Sequence, residues 1–188
     1  ESNDELGLVN FTMSMVDEGT KKYDSLEFAE MQESLGSGIG FGSSIDTTYA
    51  SMSSLKVNLE QTLDLFKEGL LNPTFPQVEL DKVKKRWLAG IDQELNSPAS
   101  MANREIRTLV YGSGHPYAKA SSSGIKSTVE AFKREDLIDM YSKLTNPNDA
   151  TFIITGDISL DEATQLLNNK FTDWTSLNET SAKVDLFN

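Results

Sequence analysis

Asn10-Phe11-Thr12-Met13-Ser14, running on through Met15-Val16-Asp17-Glu18 into Gly19-Thr20, is the stretch on which the fold of this chain turns. Leu6, Val9, Met13 and Val16 recur at helical spacing, so a helix with one apolar face is predicted. Gly19 stands where a left-handed residue can close it. Asn10 and Ser14 fall one turn apart on that helix, with Met13 beside Ser14.

Working outward, Asp24-Ser25 opens a second helix with Phe28, Met31 and Leu35 on one face and Gly36 as its stop. Ile39 and Phe41 then alternate with Gly38, Gly40 and Gly42. Ser43-Ser44-Ile45-Asp46 turns the chain, and Thr47 to Ser53 alternates again, which predicts a β-hairpin. Leu59, Leu63, Phe66 and Leu70 mark a third helix that ends before Asn72-Pro73. Leu80, Val83, Trp87, Ile91 and Leu95 give the inner face of a long fourth helix after Pro76. Ser97-Pro98 is an N-cap with Pro at N1 for a fifth, which runs to Tyr111. Residues 112–124 read as a loop and Lys133 to Leu144 as another helix. Ala150 to Thr155, apolar and β-branched, is the clearest strand. Ser159 with Glu162 forms a capping box for the last helix.

The fold class is α+β, a mostly antiparallel sheet with helices packed on one side. The first strands are expected to be missing, because Glu1-Ser2-Asn3-Asp4 leads straight into a helix as if cut from a longer protein. Residues 1–174 read as one lobe and 175–188 as a polar linker leaving it. The 188 residues carry a net charge of −12, which repels phosphate backbones and argues against nucleic-acid binding. The same field favours basic peptides. There is no Cys, which rules out disulfides and thiolate metal sites within the chain. No apolar run approaches the roughly 20 residues that span a bilayer, so membrane insertion is not expected.

The landmarks, taken in order, resemble those of the insulinase/pitrilysin family of zinc peptidases, which includes the mitochondrial processing peptidases. They are Gly19-Thr20 after the first helix, Phe28 with Leu35-Gly36, the Gly/Ser hairpin with Asp46, and Leu71-Asn72-Pro73-Thr74-Phe75. Tyr111-Gly112 with His115-Pro116-Tyr117, and Ile154-Thr155-Gly156-Asp157, complete the set. That family's helix carries His-x-x-Glu-His, two zinc ligands and a general base. Asn10, Met13 and Ser14 stand in those places. The family's third ligand, a Glu on a long downstream helix, falls at Gly90 in Leu88-Ala89-Gly90-Ile91. By resemblance, all four catalytic positions are substituted.

The resemblance implies the first lobe of the inactive half of a zinc metalloendopeptidase. No cofactor is expected in this piece, and zinc is expected in the catalytic half of the parent protein. The implied partners are that half, on the same chain or as a separate subunit, and a peptide substrate. Peptide would add as a strand at Gly38, Ile39, Gly40, Phe41 and Gly42, where backbone pairing tolerates many sequences. The rival reading is an assembly subunit related to the processing-peptidase core proteins, without protease activity. The resemblance leans to a bacterial periplasmic or secreted protein. The Gly-rich run is not a dinucleotide loop, since no apolar strand precedes it and no helix follows at once. His115, the chain's one His, reads as structural. Glu27, Glu30 and Glu33 read as a solvated face, and Lys82, Lys84, Lys85 and Arg86 as a wet helix face or a contact to the partner half.

Overall fold

The structure, a computed structural model, describes residues 5–113, 115–118 and 123–175. Its elements are α1 (Leu8–Met13), α2 (Ser25–Ser34), β1 (Gly38–Ser43), β2 (Thr48–Ser53), α3 (Leu59–Leu71), α4 (Gln77–Leu95), α5 (Pro98–Tyr111), α6 (Lys126–Ala131), α7 (Arg134–Leu144) and α8 (Leu160–Lys170). The class is α+β.

Local chemistry sets many of the element ends. Asp24 accepts the Glu27 N–H while the Glu27 carboxylate accepts the Asp24 N–H, both at 2.9 Å, which satisfies two orphan donors at the start of α2. Gly36 follows α2 at φ 57°. Ser97 accepts the Ser100 N–H ahead of Pro98, and Ser159 pairs with Glu162 at the start of α8. β1 and β2 pair antiparallel in a register that sets Gly38 opposite Ser53 and Ser43 opposite Thr48.

Two apolar clusters form the core. One gathers Phe11, Met15 and Val16 with Leu80, Val83 and Ile91 of α4, Val129, and Leu137 of α7. The other packs Phe28 and Ile39 against Leu63, Phe66 and Leu70 of α3. Phe41 of β1 touches both clusters, so the hairpin joins the two cores.

Several expectations need correcting. The first helix is shorter than its apolar period implies. It ends at Met13, and residues 14–17 continue as turns closed by bonds such as Met15 N–H to the Thr12 carbonyl at 3.1 Å. Gly19 is therefore no helix cap. It bridges to Asp24, and a Cβ there would lie 2.6 Å from Pro76 Cγ, so close approach requires the glycine. Met31 and Leu95 face outward, whereas Trp87 does pack on the first cluster. The six-residue α6 lies in what the sequence left unassigned. The strand expected over residues 150–155 is not formed. That segment pairs with no other strand among the described residues, and Ile153 is 88% exposed. A strand exists only through its partner's hydrogen bonds, and apolar β-branched composition cannot supply them. The linker expected over 175–188 lies, beyond Thr175, outside the described residues.

Candidate functional site

α1 presents the first three singled-out positions. The Asn10 amide oxygen accepts the Ser43 hydroxyl at 3.2 Å, which ties α1 to the end of β1. Ser14 Oγ turns back and donates to the Phe11 carbonyl at 2.8 Å. Met13 is buried in the first apolar cluster. Gly90 sits on α4, and the two helices meet where the Phe11 ring packs edge-on against Trp87 at 5.3 Å, one turn before Gly90. A Cβ built at Gly90 would meet nothing within 4 Å, so open space stands where a side chain would project.

These residues do not fit zinc. The ion takes deprotonated Cys, imidazole or carboxylate donors. An amide and a hydroxyl that are already hydrogen-bonded, a buried thioether and a bare Cα do not make that set. Glu94, one turn beyond Gly90, offers no substitute. Its carboxylate accepts Arg104 Nη1 at 2.8 Å and the Ser123 hydroxyl at 2.9 Å. Arg104 also donates to the Gly124 carbonyl and Trp87 Nε1 donates to the Ser123 carbonyl, each at 2.8 Å. Glu94 thus serves a clamp that locks α4 to α5 and to residues 123–124. Sequence reasoning missed this clamp, because its five members, Trp87, Glu94, Arg104, Ser123 and Gly124, are scattered along the chain with no common spacing.

The second group lies on β1. Ile39 N–H points away from β2 and donates to the Gln32 side-chain oxygen at 3.2 Å. Residues two and four positions further on point the same way in an antiparallel pair. The edge therefore presents the backbone of Phe41 and Ser43, next to Asn10, while its Ile39 donor is already taken. The glycines face elsewhere. Added Cβ atoms at Gly38, Gly40 and Gly42 would come to 2.9 Å of Ser53 Oγ, 3.4 Å of Ser51 Oγ and 2.6 Å of the Tyr49 ring. The alternating glycines make room for the partner strand's own side chains.

The motifs quoted from the sequence touch one another. Gly19 O accepts the Thr74 N–H at 2.9 Å, and Thr20 bridges to Pro73. The Tyr117 hydroxyl donates to Asp46 at 2.8 Å, which ties the His-Pro-Tyr loop to the hairpin turn. The Asp46 carboxylate holds the Tyr117 phenol above its ordinary pKa. His115 stacks on Tyr111 at 5.2 Å, and its Nδ1 accepts the Tyr117 N–H at 3.1 Å, a structural role. In the basic run, Lys82 pairs with Glu79, Arg86 pairs with Glu18, and Lys84 donates to the Phe132 carbonyl.

The family model described as "Insulinase (Peptidase family M16)" matches residues 1–110. The chain belongs to the insulinase family. A second model of that family, "Peptidase M16 inactive domain", matches residues 131–186. Among curated relatives, the chain is 26% identical over 165 residues to the "Non-peptidase homolog YmxG" of Helicobacter pylori, covering 88% of this chain and 38% of that one. It is 28% identical over 192 residues to the "Probable zinc protease PqqL" of Escherichia coli, covering 92% of this chain and 19% of that one. The fold matches a crystal structure of a peptidase M16 inactive domain from Pseudomonas fluorescens with a TM-score of 0.86 and 27% identity, over 96% of this chain and 43% of that one. It also matches the periplasmic protease PqqL of Escherichia coli with a TM-score of 0.85 over 98% of this chain and 21% of that one. At 24% identity the PqqL likeness speaks to fold alone. The chain spans less than half the length of each of these relatives. Among the described residues, no helix is long and apolar enough to cross a membrane.

Proposed function

We propose that this chain is a non-catalytic, chamber-forming lobe of a zinc-dependent endopeptidase, one that helps enclose and hold peptide while a separate half carries the zinc. One observation carries the reading. The helix positions that the resemblance matches to the family's two helix zinc ligands and general base are turned inward or into hydrogen bonds: Asn10 to Ser43, Ser14 to the Phe11 carbonyl, and Met13, at the general base's place, into the core. The lobe keeps the family's fold and spends those side chains on packing. Peptide would meet the β1 edge at Phe41 and Ser43 through backbone hydrogen bonds. The acidic balance of −12 favours basic peptides.

A second reading, an assembly subunit without any protease activity, is favoured by the relative named a non-peptidase homolog. One experiment separates the two. Zinc content and cleavage of unstructured basic peptides are measured on this chain and on the product of the complete reading frame. The first reading expects zinc and cleavage in the complete protein and neither in this chain. The second expects neither in both. Stoichiometric zinc with cleavage by this chain alone overturns both readings.

A further inference from the structure

The hairpin turn carries a carboxylate that the fold orients and leaves half used. Asp46 stands in the turn between β1 and β2 and is exposed. Ser44 fixes its backbone. The Ser44 hydroxyl oxygen accepts the Asp46 N–H at 3.4 Å and the Thr47 N–H at 3.2 Å, while the Ser44 N–H donates to the Thr47 carbonyl at 2.7 Å. The Tyr117 hydroxyl fixes the side chain by donating to Asp46 Oδ1 at 2.8 Å. Among the described residues Asp46 Oδ2 accepts no hydrogen bond, and no Lys or Arg pairs with Asp46.

The surroundings suit a cation. Tyr111, His115 and Tyr117 pack on one another with ring centroids 5.1 to 5.5 Å apart, and Tyr111 stays 48% exposed. Aromatic faces beside a carboxylate attract positive charge. Two acceptors lie together, Asp46 Oδ2 and the lone pairs of the Tyr117 hydroxyl, whose proton is committed to Oδ1. A guanidinium is a planar fork of N–H donors and can meet both at once, whereas an ammonium is a point charge without that match. The place also matters. β1 ends at Ser43, and Asp46 follows three residues on. A peptide paired with Phe41 and Ser43 meets the turn with the residues just beyond that pairing.

We infer that Asp46 and Tyr117, flanked by Tyr111, form a subsite for one arginine side chain of a peptide paired on the β1 edge. The subsite rests on the proposed binding of peptide at that edge and adds a choice of residue to it. Backbone pairing tolerates many sequences, and this corner selects a guanidinium. The net charge of −12 attracts any basic peptide, so the subsite shows itself as a preference that one local substitution removes.

The test uses the protein expressed from its complete reading frame and two fluorescent unstructured peptides. The peptides are identical except that citrulline, an uncharged isostere, replaces the single arginine of one. Affinities are read by stopped-flow anisotropy before any turnover. The arginine peptide is expected to bind about fivefold more tightly, the size of a well-placed exposed ion pair. Asp46→Asn keeps the shape of the turn residue and should remove that preference while leaving the citrulline peptide's affinity unchanged. Tyr117→Phe keeps the ring, leaves the turn's own bonds in place and should lower the preference by about twofold. Equal affinity of the two peptides for the unaltered protein overturns the subsite. A preference that survives Asp46→Asn belongs to the overall field and overturns it too. Equal weakening of both peptides in Asp46→Asn marks a structural tether and likewise overturns it, as does an unchanged preference in Tyr117→Phe. If neither peptide binds the unaltered protein, the peptide-binding reading itself falls and takes the subsite with it.

Discussion

The two mid-helix glycines, Gly90 and Gly69, should respond in opposite ways to the same substitution. Each lies inside a helix, Gly90 in α4 and Gly69 in α3. Replacing glycine by alanine in a helix interior gains about 0.8–1.0 kcal/mol from the backbone alone. At Gly90 the new methyl meets nothing within 4 Å, so that gain stands undiminished. At Gly69 the methyl would lie 2.8 Å from Phe41 Cζ and 3.2 Å from Phe28 Cζ. The Phe41 ring cannot swing away freely, because it stacks on Phe66 at 6.1 Å. Overpacking of this kind costs about 1–3 kcal/mol. Gly90→Ala should therefore stabilise by about 1 kcal/mol, while Gly69→Ala should be neutral to about 2 kcal/mol destabilising. The propensity gain is common to both, so the difference between the two variants isolates the packing cost at the hairpin–α3 contact. Urea unfolding followed by circular dichroism gives both values, provided the slope stays unchanged. A thermal scan should show Gly90→Ala up by about 2–4 °C. Loss of more than about 0.5 kcal/mol in Gly90→Ala refutes the claim of open space, and with it the view that Gly90 makes no contact of its own.

Other substitutions probe the interior. Thr12 Oγ1 is fully buried with no hydrogen-bond partner, so Thr12→Val, nearly the same shape, should stabilise by about 1 kcal/mol or more in urea titrations; a loss would reveal a hidden partner. The buried Tyr141 hydroxyl donates to the Leu70 carbonyl at 2.7 Å, and burial raises its pKa far above the ordinary phenol value. Tyr141→Phe leaves that carbonyl unpaired and should cost about 1–3 kcal/mol, while a neutral result would point to water replacing the phenol. Burial likewise holds the Asp17 carboxyl above its ordinary value, so the folded state prefers the protonated acid. Asp17→Asn should then raise the melting temperature at pH 7, and the gain should vanish as pH falls below the unfolded value of about 3.9. A gain that persists in acid would assign the effect to something other than this charge.

What was legible in the sequence divides along a physical line. Helix starts were readable because capping is local. Asp24 with Glu27, Ser97 ahead of Pro98, and Ser159 with Glu162 each satisfy backbone donors within four residues, and each appears in the structure as the residue types require. The hairpin was readable for the same reason, and its glycines now have a cause in Tyr49, Ser51 and Ser53 across the strand pair. Where the outcome depends on distant residues, composition misled. Of Leu6, Val9, Met13 and Val16, Met13 and Val16 are buried and Val9 packs against the core, yet the backbone leaves the helix after Met13, because Val16 can be buried from a turn as well as from a helix. Residues 150–155 have the strongest strand composition in the chain and form no strand, since pairing is a property of two segments. The candidate site shows both cases at once. That Asn10, Met13, Ser14 and Gly90 make a poor donor set follows from their chemistry alone. What they do instead depends on tertiary contacts such as that of Ser43 with Asn10, formed across a separation that no spacing rule describes. On the proposed matching of these positions to the family's metal site, Asn10 serves to hold the hairpin, and placing a His there would cost the Ser43–Asn10 hydrogen bond.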